Sequence, residues 1–124
     1  MIQHVTMVAL GGAIGAILRY TAGNILQVTN FPWPTFTVNV VGSVSIGILT
    51  AIAMNYTFSQ ETMLFLSTGL LGAFTTMSTF SIETVGLLKA ENYIIALTYA
   101  TLSFCLCIIG AFAGYSLGSK LNIG

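Results

Sequence analysis

The sequence predicts an all-α membrane protein with four transmembrane helices, the third of them broken mid-membrane. Three observations carry this. Of 124 residues, 56% are hydrophobic and only 5% are charged, where a soluble domain carries roughly 25% charged residues. A membrane-spanning helix needs about 20 residues, so the length accommodates four spans and leaves little for an extramembrane domain. Finally, Gly69-Leu-Leu-Gly-Ala-Phe-Thr-Thr-Met-Ser-Thr-Phe-Ser-Ile-Glu83 interrupts a long apolar segment with two glycines and a run of hydroxyls.

Composition also narrows function. The formal net charge is zero, so nothing points to nucleic acid. Cys105 and Cys107 are two apart on a helix and face different sides, which makes neither a metal pair nor an intrachain disulfide. The N-terminus lacks a basic n-region and a clean cleavage site, so the first helix is expected to be retained. The single His4 is terminal and no nucleophile–base pair is apparent, so an enzyme is not expected.

Span one covers about residues 3–26. Gly11 and Gly15 form a G-x-x-x-G that admits close helix approach. Gly11-Gly12-x-x-Gly15 is not a nucleotide loop, because no strand precedes it. Arg19 follows on the same face. Snorkelling to the headgroups is slightly favoured for it over a role as an anion-attracting charge at a pore mouth. Pro32 and Pro34 end the helical run, and Trp33 and Tyr20 suit an interfacial belt.

Span two covers about residues 35–55. Thr35, Asn39 and Ser43 repeat at four and share a face. Asn39 is costly in lipid unless it makes an interhelical hydrogen bond or lines a polar path, and both readings remain open. Span three covers about residues 62–88. Ser and Thr compete for backbone groups, and Gly72 is a weak helix former. Residues 72–78 are therefore expected to unwind. Such patches occur in membranes where ions are bound. An ordinary small-residue packing face is the equally weighted alternative. Glu83 lies near the end of this span, where a carboxylate can simply reach water. Span four covers about residues 93–117. Tyr99, Ser103 and Cys107 repeat at four, and Gly110, Gly114 and Gly118 extend nearly the same stripe. Helix packing explains the glycines well and the Tyr–Ser pair less well.

Four spans place both termini and the 56–61 loop on one side, with Lys120, and place Lys89 and Arg19 on the other, a basic count of 1 against 2. The positive-inside rule needs a clear excess to fix orientation. The chain is expected to insert both ways, and two copies would then form an antiparallel dual-topology homodimer.

These residues, taken together, resemble the Fluc/CrcB-type fluoride channels over almost the whole chain. The resemblance rests on Gly-Gly-x-x-Gly-x-x-x-Arg-Tyr from Gly11 to Tyr20 and on Thr-x-x-x-Asn-x-x-Gly-Ser from Thr35 to Ser43. It also rests on Gly-x-x-Gly-x-x-Thr-Thr-x-Ser-Thr-Phe-Ser-x-Glu from Gly69 to Glu83, and on Asn-Tyr-x-x-Ala-Leu from Asn92 to Leu97. It implies a passive channel that exports toxic cytoplasmic fluoride, multi-pass in the plasma membrane of a prokaryote, with two pores in an antiparallel dimer. It implies a structural sodium ion at the two-fold axis, held by backbone carbonyls matching Gly72 and Thr75. It implies pores lined by Asn39, Ser78, Thr79, Phe80 and a span-four track of Tyr99, Ser103 and Cys107, with Arg19, Thr35 and Glu83 at the mouth. The chain departs from the family twice. Met77 stands where a first phenylalanine is usual, and Cys107 where a serine is often found. A small proton-coupled multidrug exporter is the alternative function. It needs a membrane carboxylate, usually in span one, which here has no acidic residue; Glu83 would have to serve.

Overall fold

The computed structural model describes residues 1–121 and contains helices but no strand among them. Helix α1 (Ile2–Ile25) leads through a proline-containing loop to α2 (Trp33–Asn55). Pro34 sits in the first turn of α2, where no intrahelical donor is required. Phe31 closes the loop by packing its ring 4.6 Å from Trp33 and 5.3 Å from both Phe36 and Tyr99. The third span opens with α3 (Gln60–Met63), whose N-cap Ser59 accepts a hydrogen bond from the Thr62 amide at 3.1 Å. It continues as a π-helical stretch, Leu64–Leu71, then the single turn α4 (Gly72–Phe74), and resumes after a break as α5 (Met77–Lys89). Helix α6 (Tyr93–Lys120) completes the chain and runs past residue 117, because Gly118 packs against α2 and nothing there stops a helix.

Among the described residues, four helical stretches are long and apolar enough to cross a membrane: Ile2–Ile25, Trp33–Asn55, Gln60–Lys89 and Tyr93–Lys120. The chain is a multi-pass membrane protein, and its large apolar side chains face outward as lipid requires, with Ile17, Ile82, Leu97, Ile108 and Phe112 all exposed.

Small residues set the packing. Gly11 and Gly15 of α1 lie against the backbone carbonyls of Phe65 and Leu70, and a β-carbon on Gly69 would come within 2.8 Å of the Val8 carbonyl. The second seam joins α2 to α6. Gly47 meets the Ala111 carbonyl, Gly114 meets the Val44 carbonyl, and a β-carbon on Gly118 would sit 2.7 Å from the Ile48 carbonyl. Lipid offers no hydrophobic drive for helix association, so dispersion between closely approached backbones must supply it. The glycine stripe of α6 is this packing face.

The short connection between α5 and α6 is a Schellman closure. The Asn92 amide donates to the Leu87 carbonyl at 2.9 Å and the Glu91 amide donates to the Leu88 carbonyl at 3.0 Å. Glu91 occupies the left-handed position usually given to glycine, at φ 62°.

Candidate functional site: a polar cavity at the broken helix

The break is tighter than the sequence suggests. In place of unwinding across residues 72–78, only Thr75 (φ −86°, ψ 157°) and Thr76 (φ −152°, ψ 114°) are extended. Gly72 remains helical at φ −63°, ψ −36°. The π-helical turn before it carries the ladder onward despite glycine's low propensity. Thr76 restarts the helix at once, its hydroxyl accepting from the Thr79 amide at 3.2 Å.

Side chains from two other spans satisfy the backbone freed by the break. The Thr76 amide donates to Asn39 Oδ1 at 2.8 Å, and Asn39 Nδ2 donates back to the Thr76 carbonyl at 3.1 Å. Arg19 turns its Nε inward. It is half-buried, and its Nε donates to the Ala73 carbonyl at 3.0 Å, at the negative end of the first half-helix. Gly42 gives the break room, because a β-carbon there would collide with the Thr75 methyl group.

The Gly72 and Thr75 carbonyls are among those that lose their helical donors. In a continuous helix the Thr76 amide would bond to Gly72 and the Thr79 amide to Thr75. Those amides are instead taken by Asn39 and by the Thr76 hydroxyl. The Gly72 and Thr75 oxygens are hard donors of the kind that replace a cation's water shell. No group of three or more His, Cys, Asp or Glu side chains is placed to hold a metal among the described residues, so any cation here would rest on backbone oxygen.

Beside the break, α2, the third span and α6 line an open pocket of about 520 Å³. Of the residues picked out from the sequence, Asn39, Gly72, Thr75, Met77, Phe80, Ser103 and Cys107 line it. Its remaining polar walls come from Ser43, Ser67 and Thr76, and no ionisable carboxylate or basic side chain lines it. The N-terminus of α5 also lies at this wall, through Thr76 and Met77. First-turn amides have no intrahelical acceptor, and that end of a helix favours an anion. Ser103 is 7% exposed, and its hydroxyl is buried without a hydrogen-bond partner in the protein.

The other residues form a second layer. Tyr99, fully buried, donates its hydroxyl to Glu83 Oε1 at 2.8 Å. Its ring lies 4.9 Å from Phe80, which joins this layer to the cavity. Thr35 is buried, Thr79 accepts from the Thr76 hydroxyl at 3.1 Å, and Ser78 is exposed with its Oγ 3.4 Å from that of Thr76. None of Arg19, Thr35, Ser78, Thr79, Glu83 and Tyr99 lines the cavity. Sequence reasoning assigns Thr76 no role, although a hydroxyl three residues before Thr79 is an N-cap signal. Ser67 and Gly42 give no such signal, because their places depend on neighbouring spans.

A braced helix break beside a pocket with a few polar groups in its wall is a feature found in membrane proteins that bind or carry ions. The model of the CrcB-like protein family, Camphor Resistance (CrcB), matches residues 6–115, and the chain belongs to that family. It is 43% identical over 122 residues to a fluoride-specific ion channel FluC of Thermus thermophilus, covering 96% of this chain and 98% of that one. It is 42% identical over 122 residues to the proteins of the same name from Idiomarina loihiensis, covering 96% and 95% of the two chains, and Agrobacterium fabrum, covering 95% and 98%. These relatives are named as channels, not as enzymes.

Proposed function

We propose that this protein is a passive, fluoride-selective channel that lets cytoplasmic fluoride leave down its electrochemical gradient. The carrying observation is the pocket beside the break, whose largely apolar wall carries a few neutral hydrogen-bonding groups and, among the described residues, no carboxylate. Fluoride holds its water tightly, so a pore must offer donors in exchange. An Asn amide carries two N–H groups, and Asn39 spends one on Thr76. The unpartnered Ser103 hydroxyl is a further donor. Phe80 supplies the electropositive rim of an aromatic ring. Beyond it, Tyr99, Thr79 and Ser78 extend the hydroxyl-bearing path, with Thr35, Glu83 and Arg19 toward its mouths. Met77 replaces one ring with a flexible, polarizable thioether.

The assembly we propose is an antiparallel homodimer inserted in both orientations. Gly72 is exposed in the single chain, and a second copy on that face would bring two sets of Gly72 and Thr75 carbonyls together. A structural sodium ion fits those oxygens, and what it supplies is neutralisation of converging carbonyl dipoles. Glu83 is engaged by Tyr99 and lies off the cavity lining, which weighs against a proton-coupled exporter built on that carboxylate.

Fluoride efflux from liposomes containing only this protein tests the proposal, with chloride-loaded vesicles alongside. Fluoride release without chloride release is the expected result. Release of neither ion, or of both alike, would overturn it.

A further inference from the structure

Met77 and Cys107 both carry sulfur, and both line the same cavity. They come from different spans, α5 and α6. One turn before Cys107 on α6 stands Ser103, a pocket-lining residue more than nine-tenths buried, whose hydroxyl is buried without a partner among the described residues. A thiol and a thioether thus line one largely apolar pocket, beside a buried unsatisfied hydroxyl, and no basic side chain among the described residues lines it. Thiolate and thioether ligands select soft monovalent cations of the copper(I) and silver(I) type. Cys105, two residues away, is exposed on the outer surface and absent from the cavity.

We propose that Cys107 and Met77 form a soft-cation site, with Ser103 as an oxygen donor beside it, and that its occupation blocks the cavity. The Cys107 thiol releases its proton to buffer as the metal–sulfur bond forms, and the Met77 thioether binds through a sulfur lone pair. No electron is transferred. The long Met77 side chain, 62% exposed, swings to meet the metal at little cost because three rotatable bonds give it reach. The blocking role rests on the channel reading above; the binding role does not.

The test uses silver nitrate in chloride-free buffer with two readouts: silver bound per chain by native mass spectrometry in detergent, and fluoride efflux from liposomes relative to each variant's own silver-free rate. The wild type should bind one silver ion per chain and lose its efflux. Cys107→Ser should weaken both by about a hundredfold or more, beyond the 10–100-fold typical of changes to a metal's outer shell. Met77→Phe should weaken them by roughly tenfold. Cys105→Ser should bind silver and be blocked as the wild type is. Unchanged binding in Cys107→Ser, or binding lost in Cys105→Ser, would overturn the site. Unchanged binding in Met77→Phe would overturn the two-sulfur arrangement. Cys107-dependent silver binding by a protein with no fluoride efflux would sink the channel reading and leave the site standing. Normal efflux that silver neither binds nor blocks would do the reverse.

Discussion

Asn39 and Thr76 are paired through both ends of the Asn39 carboxamide. The Thr76 amide donates to Oδ1 at 2.8 Å, and Nδ2 donates to the Thr76 carbonyl at 3.1 Å. One side chain of α2 thus gives the Thr76 amide the acceptor it loses at the break, and adds a donor to the Thr76 carbonyl, which as N-cap also accepts the first bond of α5. The polar residue that looked like a pore donor is also the brace that holds the break open.

Asn39→Ala removes both bonds. The Thr76 amide left without an acceptor costs about 1–3 kcal/mol, so fluoride efflux should fall roughly ten- to a hundredfold without chloride appearing. Asn39→Asp keeps the acceptor for the Thr76 amide and loses the donor. It should retain more thermal stability in detergent than Asn39→Ala. Near-wild-type efflux from Asn39→Ala would show that the brace does not govern the path.

Arg19→Ala takes the donor from the Ala73 carbonyl, a half-buried charge-assisted bond at 3.0 Å. Bonds of this kind contribute about 1.5–3 kcal/mol. Thermal unfolding in detergent should shift downward, and efflux should fall even at high ionic strength. An effect that vanished in high salt would instead mark Arg19 as a charge acting only through a screened field.

Gly72→Val separates the fold of one chain from assembly. A β-carbon at Gly72 would approach only the Ser67 carbonyl, at the ordinary distance of 3.5 Å. Helical content measured by circular dichroism should therefore survive, while size-exclusion chromatography in detergent should shift toward monomer and efflux should disappear. Thr75→Ser should be mild, because the proposed ligand is the backbone carbonyl. A dimeric, fully active Gly72→Val protein would refute the sodium assignment.

Tyr99→Phe removes the hydroxyl donated to Glu83 at 2.8 Å while keeping ring contacts at 4.9 Å to Phe80 and 5.3 Å to Phe31. The fold should persist and efflux should drop about tenfold. Glu83→Gln retains an acceptor for that hydroxyl and should be milder. Efflux in Glu83→Gln that became independent of an imposed pH gradient, where the wild type depended on it, would favour the exporter.

Orientation is checked by one engineered thiol. With Cys105 and Cys107 changed to serine and a cysteine added at the C-terminus, impermeant labelling should proceed in comparable amounts from both sides of the membrane. Labelling from a single side would end the dual-topology proposal.

Much of this molecule was legible as sequence because the bilayer imposes rules that act locally. Unbroken apolar runs in a chain with 5% charged residues have few options in lipid other than helices, since each backbone group must find its partner within its own segment. The prolines of the first loop, the small-residue spacing of Gly11 and Gly15, and the hydroxyl run after Gly72 all act within a few residues, so their meaning survives without a fold. Tertiary structure alone decided how the broken span is completed. Gly72 stayed helical, and the extended backbone settled on Thr75 and Thr76, because Asn39 arrives from α2 to pair with Thr76 and Arg19 from α1 to take the Ala73 carbonyl. The same holds for the division between Ser103, Cys107 and Met77 at the cavity and Tyr99 with Glu83 behind it. Spacing by four puts Tyr99, Ser103 and Cys107 on one stripe, but which part of the stripe meets a cavity depends on how a neighbouring helix is interrupted. Hydrogen bonds across 37 and 54 residues of chain carry no trace in a local pattern, because the partners meet only after the spans have packed.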